Sequence, residues 1–316
     1  MSKNSKTVYE EIRSQGFSRR EFLKFCGTMA AMLGLETSGV AQVVKALETK
    51  TRIPVLWMHF QECTGCSESF IRSSHPVIAD IVFDCISLDY TETLMAPSGY
   101  QAEKSLHDTI EKHQGNYILM VEGSVPTNNA GYCTTGGKNA LDDLQLAAAG
   151  AKVIIALGNC ASFGGLAAAS PNPTGAKPVK DVIRGGSFIN ISGCPPIANV
   201  MTGVVVHMLT FDSIPELDEL GRPKAFYSSR VHDTCYRRTF CDRGLFESFD
   251  GANTKKGYCL YFLGCKGPTT YNACGIMKWN DGVSFPIQSG HPCIGCAEAN
   301  FWDGGGFYTR MAEIPE

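Results

Sequence analysis

Beyond residue 50 the chain has no run of about 18 or more apolar residues, which excludes a membrane-spanning helix there. It has no basic stripe and no alternation of basic and aromatic residues, so nothing marks a nucleic-acid surface. The linear run Cys-x2-Cys-x2-Cys-x3-Cys-Pro is also missing, which rules out an inserted bacterial-type ferredoxin. No repeat of solenoid period is visible. The net charge is only −3. Its small acidic excess beyond residue 50 fits ordinary solubility.

Cysteine is abundant. At 316 residues the chain is long enough to be stabilised by hydrophobic burial, so its 14 cysteines are not needed as staples. Ten of them, with one histidine, fall into three groups. These are Cys63, Cys66, Cys160 and Cys194; His232, Cys235, Cys259 and Cys265; and Cys274, Cys293 and Cys296.

The order of elements supports the first group. Short, β-branched apolar runs occur at 53–60, 81–88, 117–121, 153–157 and 188–191, with helical patterns between them, for example at 140–149 and 200–209. This alternation predicts a doubly wound, flavodoxin-like α/β domain with a parallel sheet over about 51–212. Three of those strands end in cysteine: Glu62-Cys63-Thr64-Gly65-Cys66, Gly158-Asn159-Cys160 and Gly193-Cys194-Pro195-Pro196. The carboxyl edge of such a sheet is where ligands bind. Four thiolates there suit a [4Fe–4S] cluster, and four-coordinate zinc fits the same spacing. A dithiol reading of Cys63 and Cys66 leaves Cys160 and Cys194 without a role.

From 213 to 316 Pro, Gly, Cys and aromatics are frequent and long periodic segments vanish. An irregular domain organised around cofactors is expected. His232 shares a turn with Cys235, and either zinc or a His-ligated [4Fe–4S] cluster fits that set. Three thiols at Cys274, Cys293 and Cys296 suit a [3Fe–4S] cluster, since closed zinc sites take four ligands. Pro286 in the intervening loop cannot be a ligand. Cys85 reads as a buried hydrophobe, and Cys133 and Cys241 as spare thiols. His59, His75, His107, His113, His207 and His291 read as structural.

Residues 1–50 contain Ser18-Arg19-Arg20-Glu21-Phe22-Leu23-Lys24, followed by a moderately apolar run at 25–35 that includes Cys26. The segment resembles a twin-arginine signal, with cleavage expected near Ala41 or Ala46. That route carries folded, cofactor-loaded proteins to the periplasm.

Taken together these motifs resemble the small subunit of the periplasmic nickel–iron hydrogenases. Glu122-Gly123-Ser124-Val125-Pro126, Pro171-Asn172-Pro173-Thr174-Gly175-Ala176, Leu263-Gly264-Cys265-Lys266-Gly267-Pro268 and Gly290-His291-Pro292-Cys293-Ile294-Gly295-Cys296 extend the match along the chain. The resemblance implies a proximal [4Fe–4S] at Cys63, Cys66, Cys160 and Cys194. It implies a medial [3Fe–4S] at Cys274, Cys293 and Cys296, with Pro286 near where a fourth ligand would lie. It also implies a distal [4Fe–4S] at His232, Cys235, Cys259 and Cys265. The implied partners are a large subunit holding the nickel–iron centre and a cytochrome c-type or membrane-bound electron acceptor. Oxygen-tolerant members carry extra cysteines at the positions matching Gly65 and Gly165, so oxygen sensitivity is expected here. No transmembrane anchor is expected. The competing readings are an electron-transfer subunit of a complex I-like assembly and an exported, disulfide-stapled binding protein.

Overall fold

The structure is a computed structural model and describes residues 6–73, 77, 79, 82 and 85–310. The chain begins with helices α1 (Val8–Ser14), α2 (Arg19–Met32) and α3 (Thr37–Thr49). Thr7 and Ser18 start the first two with capping boxes, each hydroxyl accepting from the backbone N–H of a glutamate (Glu10, Glu21) whose carboxylate accepts in return. α2 ends at Met32 before Gly34, which has a φ of 66°. The apolar run at 25–35 is therefore divided between a helix and a turn.

The α/β layer follows as β1 (Ile53–His59), α4 (Gly65–Ile71), β2 (Ile86–Thr91), α5 (Tyr100–Lys112) and β3 (Tyr117–Glu122). A small hairpin, β4 (Thr134–Thr135) with β5 (Lys138–Asn139), leads to α6 (Ala140–Gly150) and β6 (Ala151–Leu157). Then come α7 (Gly158–Phe163), α8 (Val179–Val182), β7 (Phe188–Ile191) and α9 (Ala198–Phe211). Five strands pair in the order β2-β1-β3-β6-β7, all parallel. Setting the hairpin aside, this is the flavodoxin-like order 2-1-3-4-5.

Alternation within each strand covers both faces. Val55 and Trp57 pack with Phe70 of α4 and with Val200, Met201 and Val204 of α9. Leu56 and Met58 point the other way, toward Leu106 of α5 and Leu144 and Ala147 of α6. The doubly wound expectation holds. Four expected strands lie where the apolar runs placed them. The run at 81–88 corresponds to a strand at Ile86–Thr91, with residues 81, 83 and 84 outside the described residues. The sheet ladder, and not hydrophobicity alone, sets where that edge strand ends: Tyr90 and Thr91 pair with Leu56 and Trp57.

α9 is apolar nearly all round because it is covered on two sides. One face meets the sheet, and Val206 on the other joins Val8, Ile12, Phe22, Met29, Val43 and Leu47 of α1–α3. After α9 the described chain has only the short helices α10 (Lys224–Tyr227) and α11 (Arg238–Asp242), turns of 3-10 helix and isolated bridges. Its apolar residues Leu260, Leu263, Phe285 and Ile287 share one core cluster with the sheet and α9. Polar ties reinforce this seam: the Tyr227 hydroxyl donates to Ser192 O (2.7 Å) and the Trp279 indole to Pro195 O (3.0 Å).

Candidate metal centres

β1, β6 and β7 each deliver cysteine at the carboxyl edge of the sheet. Thr64, at a φ of 61°, turns the chain into α4, which carries Cys66. Cys160 lies in α7, directly after β6, and Cys194 follows β7. The four thiols come together: Cys66 is within electrostatic range of Cys63, Cys160 and Cys194. Two glycines permit the approach. A Cβ at Gly158 would lie 2.4 Å from the Cys66 sulfur, and one at Gly165 2.6 Å from the Cys160 sulfur. Both glycines have positive φ, so no other residue fits there without strain.

Glu122, at the end of β3, holds the cysteine loop in place. Its buried carboxylate accepts from Cys66 N (2.9 Å), Ser67 N (3.1 Å), the Ser67 hydroxyl (2.6 Å) and the Trp57 indole (3.2 Å). The sequence motif that contains this residue assigns it no role. The available signal is a carboxylate closing a fully buried strand.

His59, which reads as structural in the sequence, has its Nδ1 3.4 Å from Glu62 Oε1 and 3.8 Å from Glu122 Oε2. Burial lowers its pKa, against the opposing pull of Glu122, and burial followed by Glu122 raises that of Glu62. The three donors lie within 4.8 Å of one another. Glu122 is already engaged by four donor groups, whereas His59 Nδ1 and Glu62 Oε2 are buried without a hydrogen-bond partner. His75 lies outside the described residues.

Cys296 links the first group to the third. Its thiol accepts from the backbone N–H of Cys194, and Cys274 senses it in turn. Asn159, beside Cys160, donates to Cys296 O (3.0 Å) and Glu298 O (2.8 Å), tying the two loops. Cys293 lies near Cys274 and Cys296 and also near Cys265 of the second group. Pro286 is exposed, between the buried Phe285 and Ile287.

His232, Cys235, Cys259 and Cys265 line one space of about 300 Å³, partly open to solvent, with Arg237, Arg238, Leu260, Gly267 and Ile287. Here the structure adds a residue. Cys241, expected to be a spare thiol, is in hydrogen-bonding contact with Cys259 and within range of Cys235 and Cys265. Its partners lie in other turns, so spacing carried no signal for it. Cys85 is buried in the core as expected, and Cys133 is a half-buried thiol packed beside the other face of the sheet.

Several of these thiols share a local device, accepting from the backbone N–H two residues ahead. Arg237 N reaches Cys235 (3.4 Å), Tyr261 reaches Cys259, Gly267 reaches Cys265 and Gly295 reaches Cys293. Such donors favour the thiolate, whereas burial opposes it. Burial, followed by the neighbouring Cys296 thiol, pushes Cys274 up to about 12. None of the ten group cysteines forms a disulfide. Crowded, buried thiols supplied with N–H donors fit iron, which replaces the proton on each sulfur.

Residues 63–208 match the family described as NADH ubiquinone oxidoreductase, 20 Kd subunit. Residues 227–309 match the family of the C-terminal part of the NiFe/NiFeSe hydrogenase small subunit. An uptake hydrogenase small subunit from Afipia carboxidovorans is 57% identical over 98% of this chain and 85% of its own length. The chain belongs to the nickel–iron hydrogenase small subunits. The hydrogenase-1 small chain of Escherichia coli is 52% identical over 99% of this small subunit and 85% of its own length. A solved [NiFeSe]-hydrogenase chain from Desulfomicrobium baculatum superposes with a TM-score of 0.77 at 35% identity, covering 83% of this chain and all of the other. The first match explains why a complex I-like reading competes over the α/β layer. The second, with the full-length relatives, decides against it.

Proposed function

We propose that this small subunit is the electron relay of a heterodimeric nickel–iron hydrogenase, carrying electrons from hydrogen oxidation in a large subunit to an external acceptor. The observation that carries the reading is the succession of donors: the Cys194 N–H donates to the Cys296 thiol, and Lys266, next to Cys265, donates its N–H to Cys293 O (2.7 Å). Cys63, Cys66, Cys160 and Cys194 would hold a proximal [4Fe–4S], Cys274, Cys293 and Cys296 a medial [3Fe–4S], and His232, Cys235, Cys259 and Cys265 a distal [4Fe–4S]. When bound, these clusters supply one-electron carriers. The chain's own residues fix the spacing, exclude water from the medial thiols, and set potentials through N–H donors and ligand type.

Exposure supports an assignment of the two ends. Cys63 and Cys194 are exposed, which suits a face covered by the large subunit with its nickel–iron centre. Tyr236 is 52% exposed beside the His232 group, which suits the acceptor end. The acceptor is a cytochrome c-type or membrane-bound carrier. The relatives named as uptake hydrogenases support hydrogen oxidation as the working direction. The twin-arginine segment supports periplasmic export with clusters already inserted. Among the described residues no helix is long and apolar enough to cross a membrane. Glycine at Gly65 and Gly165 supports a four-cysteine proximal site and oxygen sensitivity.

Hydrogen-dependent dye reduction by the copurified heterodimer tests this. Cys160→Ala is expected to abolish it, because that thiol has no substitute in its group. Wild-type turnover in this variant would overturn the proximal assignment.

A further inference from the structure

Around the distal space stand three thiols and one imidazole, and a fourth thiol lies close to the three. Cys241 sits on α11, its N–H bonded to Arg237 O (3.3 Å). The chain then folds back, Leu245 N to Phe240 O (2.9 Å), and runs beside Cys259, whose N–H donates to Leu245 O (3.1 Å). Phe240 packs on Tyr258 with ring centroids 5.6 Å apart, closing the same turn. This path brings the Cys241 sulfur against that of Cys259, while the space itself is walled by His232, Cys235, Cys259 and Cys265. Cys241 is not among the residues that wall that space, and its contact is with Cys259 itself.

An iron-bound thiolate has no proton and can only accept a hydrogen bond. An S–H group beside it can donate to that sulfur. Donors to cluster sulfurs help set reduction potential by stabilising the more negative, reduced state. We propose that Cys241 is a positioning residue of the relay, donating its S–H to the Cys259 sulfur and raising the potential of the last cluster before the acceptor. This rests on the three-cluster reading above. It assigns a role to the cysteine that spacing alone left without one, and it places that role where electrons leave the chain.

The test is a redox titration of the holoenzyme followed by electron paramagnetic resonance, with iron counted per small subunit. C241A is expected to keep the wild-type iron content, while the distal signal titrates at a lower potential and the medial signal is unmoved. C241S keeps a hydroxyl donor and is expected to recover most of the shift, which a purely space-filling role would not produce. An unshifted distal signal in C241A, with wild-type iron, overturns this inference alone. Loss of distal iron in both variants also overturns it, because Cys241 would then be a ligand or a scaffold. A wild-type enzyme without a distal signal overturns the three-cluster reading and this inference with it.

Discussion

Glu122 shows how one side chain can organise a cysteine loop without itself supplying a sulfur. Its carboxylate satisfies four buried donor groups from Trp57, Cys66 and Ser67. Removing it leaves these groups unpaired, at a cost of about 1–3 kcal/mol for each one left buried. Glu122→Ala is expected to lose proximal iron and to lower the thermal midpoint of the assembled enzyme, with Glu122→Gln retaining part of both. Iron analysis beside a melting curve checks this, and unchanged values in the alanine variant would contradict it. Most ligand candidates were legible in the sequence because they follow a strand or share a turn with another donor, whereas Cys274, in an isolated turn, was grouped only with the distant Cys293 and Cys296. Glu122, His59 and Cys241 were not legible, because what defines them is a partner outside their own turn. His59, for example, meets a carboxylate from a neighbouring strand. Only the parallel register of β1 and β3 brings them together.

Among the elements, the sheet was readable because strands buried on both faces need continuous apolar runs, and these appear with turn-forming clusters after them. The cofactor-organised half was readable only as an absence of periodicity. Its short 3-10 turns follow from where thiols and N–H donors must sit, which no periodic pattern encodes. The first 50 residues read as an export leader, and nothing in that pattern foretells their packing. α1–α3 bury Phe22, Met29 and Leu47 against Val206 of α9, and Arg19 pairs with Glu48 at 2.8 Å. Ala41 and Ala46 both lie within α3, so cleavage near either requires that helix to open. Phe22 is fully buried, 4.7 Å from the Tyr9 ring. Phe22→Ala is expected to weaken this packing by about 3–5 kcal/mol. Faster hydrogen exchange across α1–α3, with cluster iron unchanged, would show it. Exchange as slow as wild type would mean that Phe22 does not hold these helices in place.

Across the whole molecule, the sheet edge and the irregular half act as one support for the donors. Asn190 of β7 donates to Gly221 O (2.8 Å) and Leu220 O (2.7 Å). Arg222, 3% exposed, ties that turn to the cysteine loop by donating to Asp218 Oδ2 (2.8 Å), Glu298 Oε1 (3.0 Å) and Ala297 O (3.1 Å), directly beside Cys296. Breaking such a buried network from one side costs about 3–5 kcal/mol. Arg222→Ala is expected to lower the thermal midpoint and loosen the Cys296 loop. Arg222→Lys should recover only part of the loss, since lysine lacks the planar fork. Full recovery with lysine would reduce the role of Arg222 to that of a charge.

The central claim is that the three donor groups hold iron–sulfur clusters and together form a relay. Iron, zinc and acid-labile sulfide measured together on the anaerobically purified chain, with whatever copurifies, test this most directly. The account predicts about 11 irons per small subunit before any partner iron, with matching sulfide and no zinc. Stoichiometric zinc with little sulfide would make these sites structural, and the relay would be contradicted.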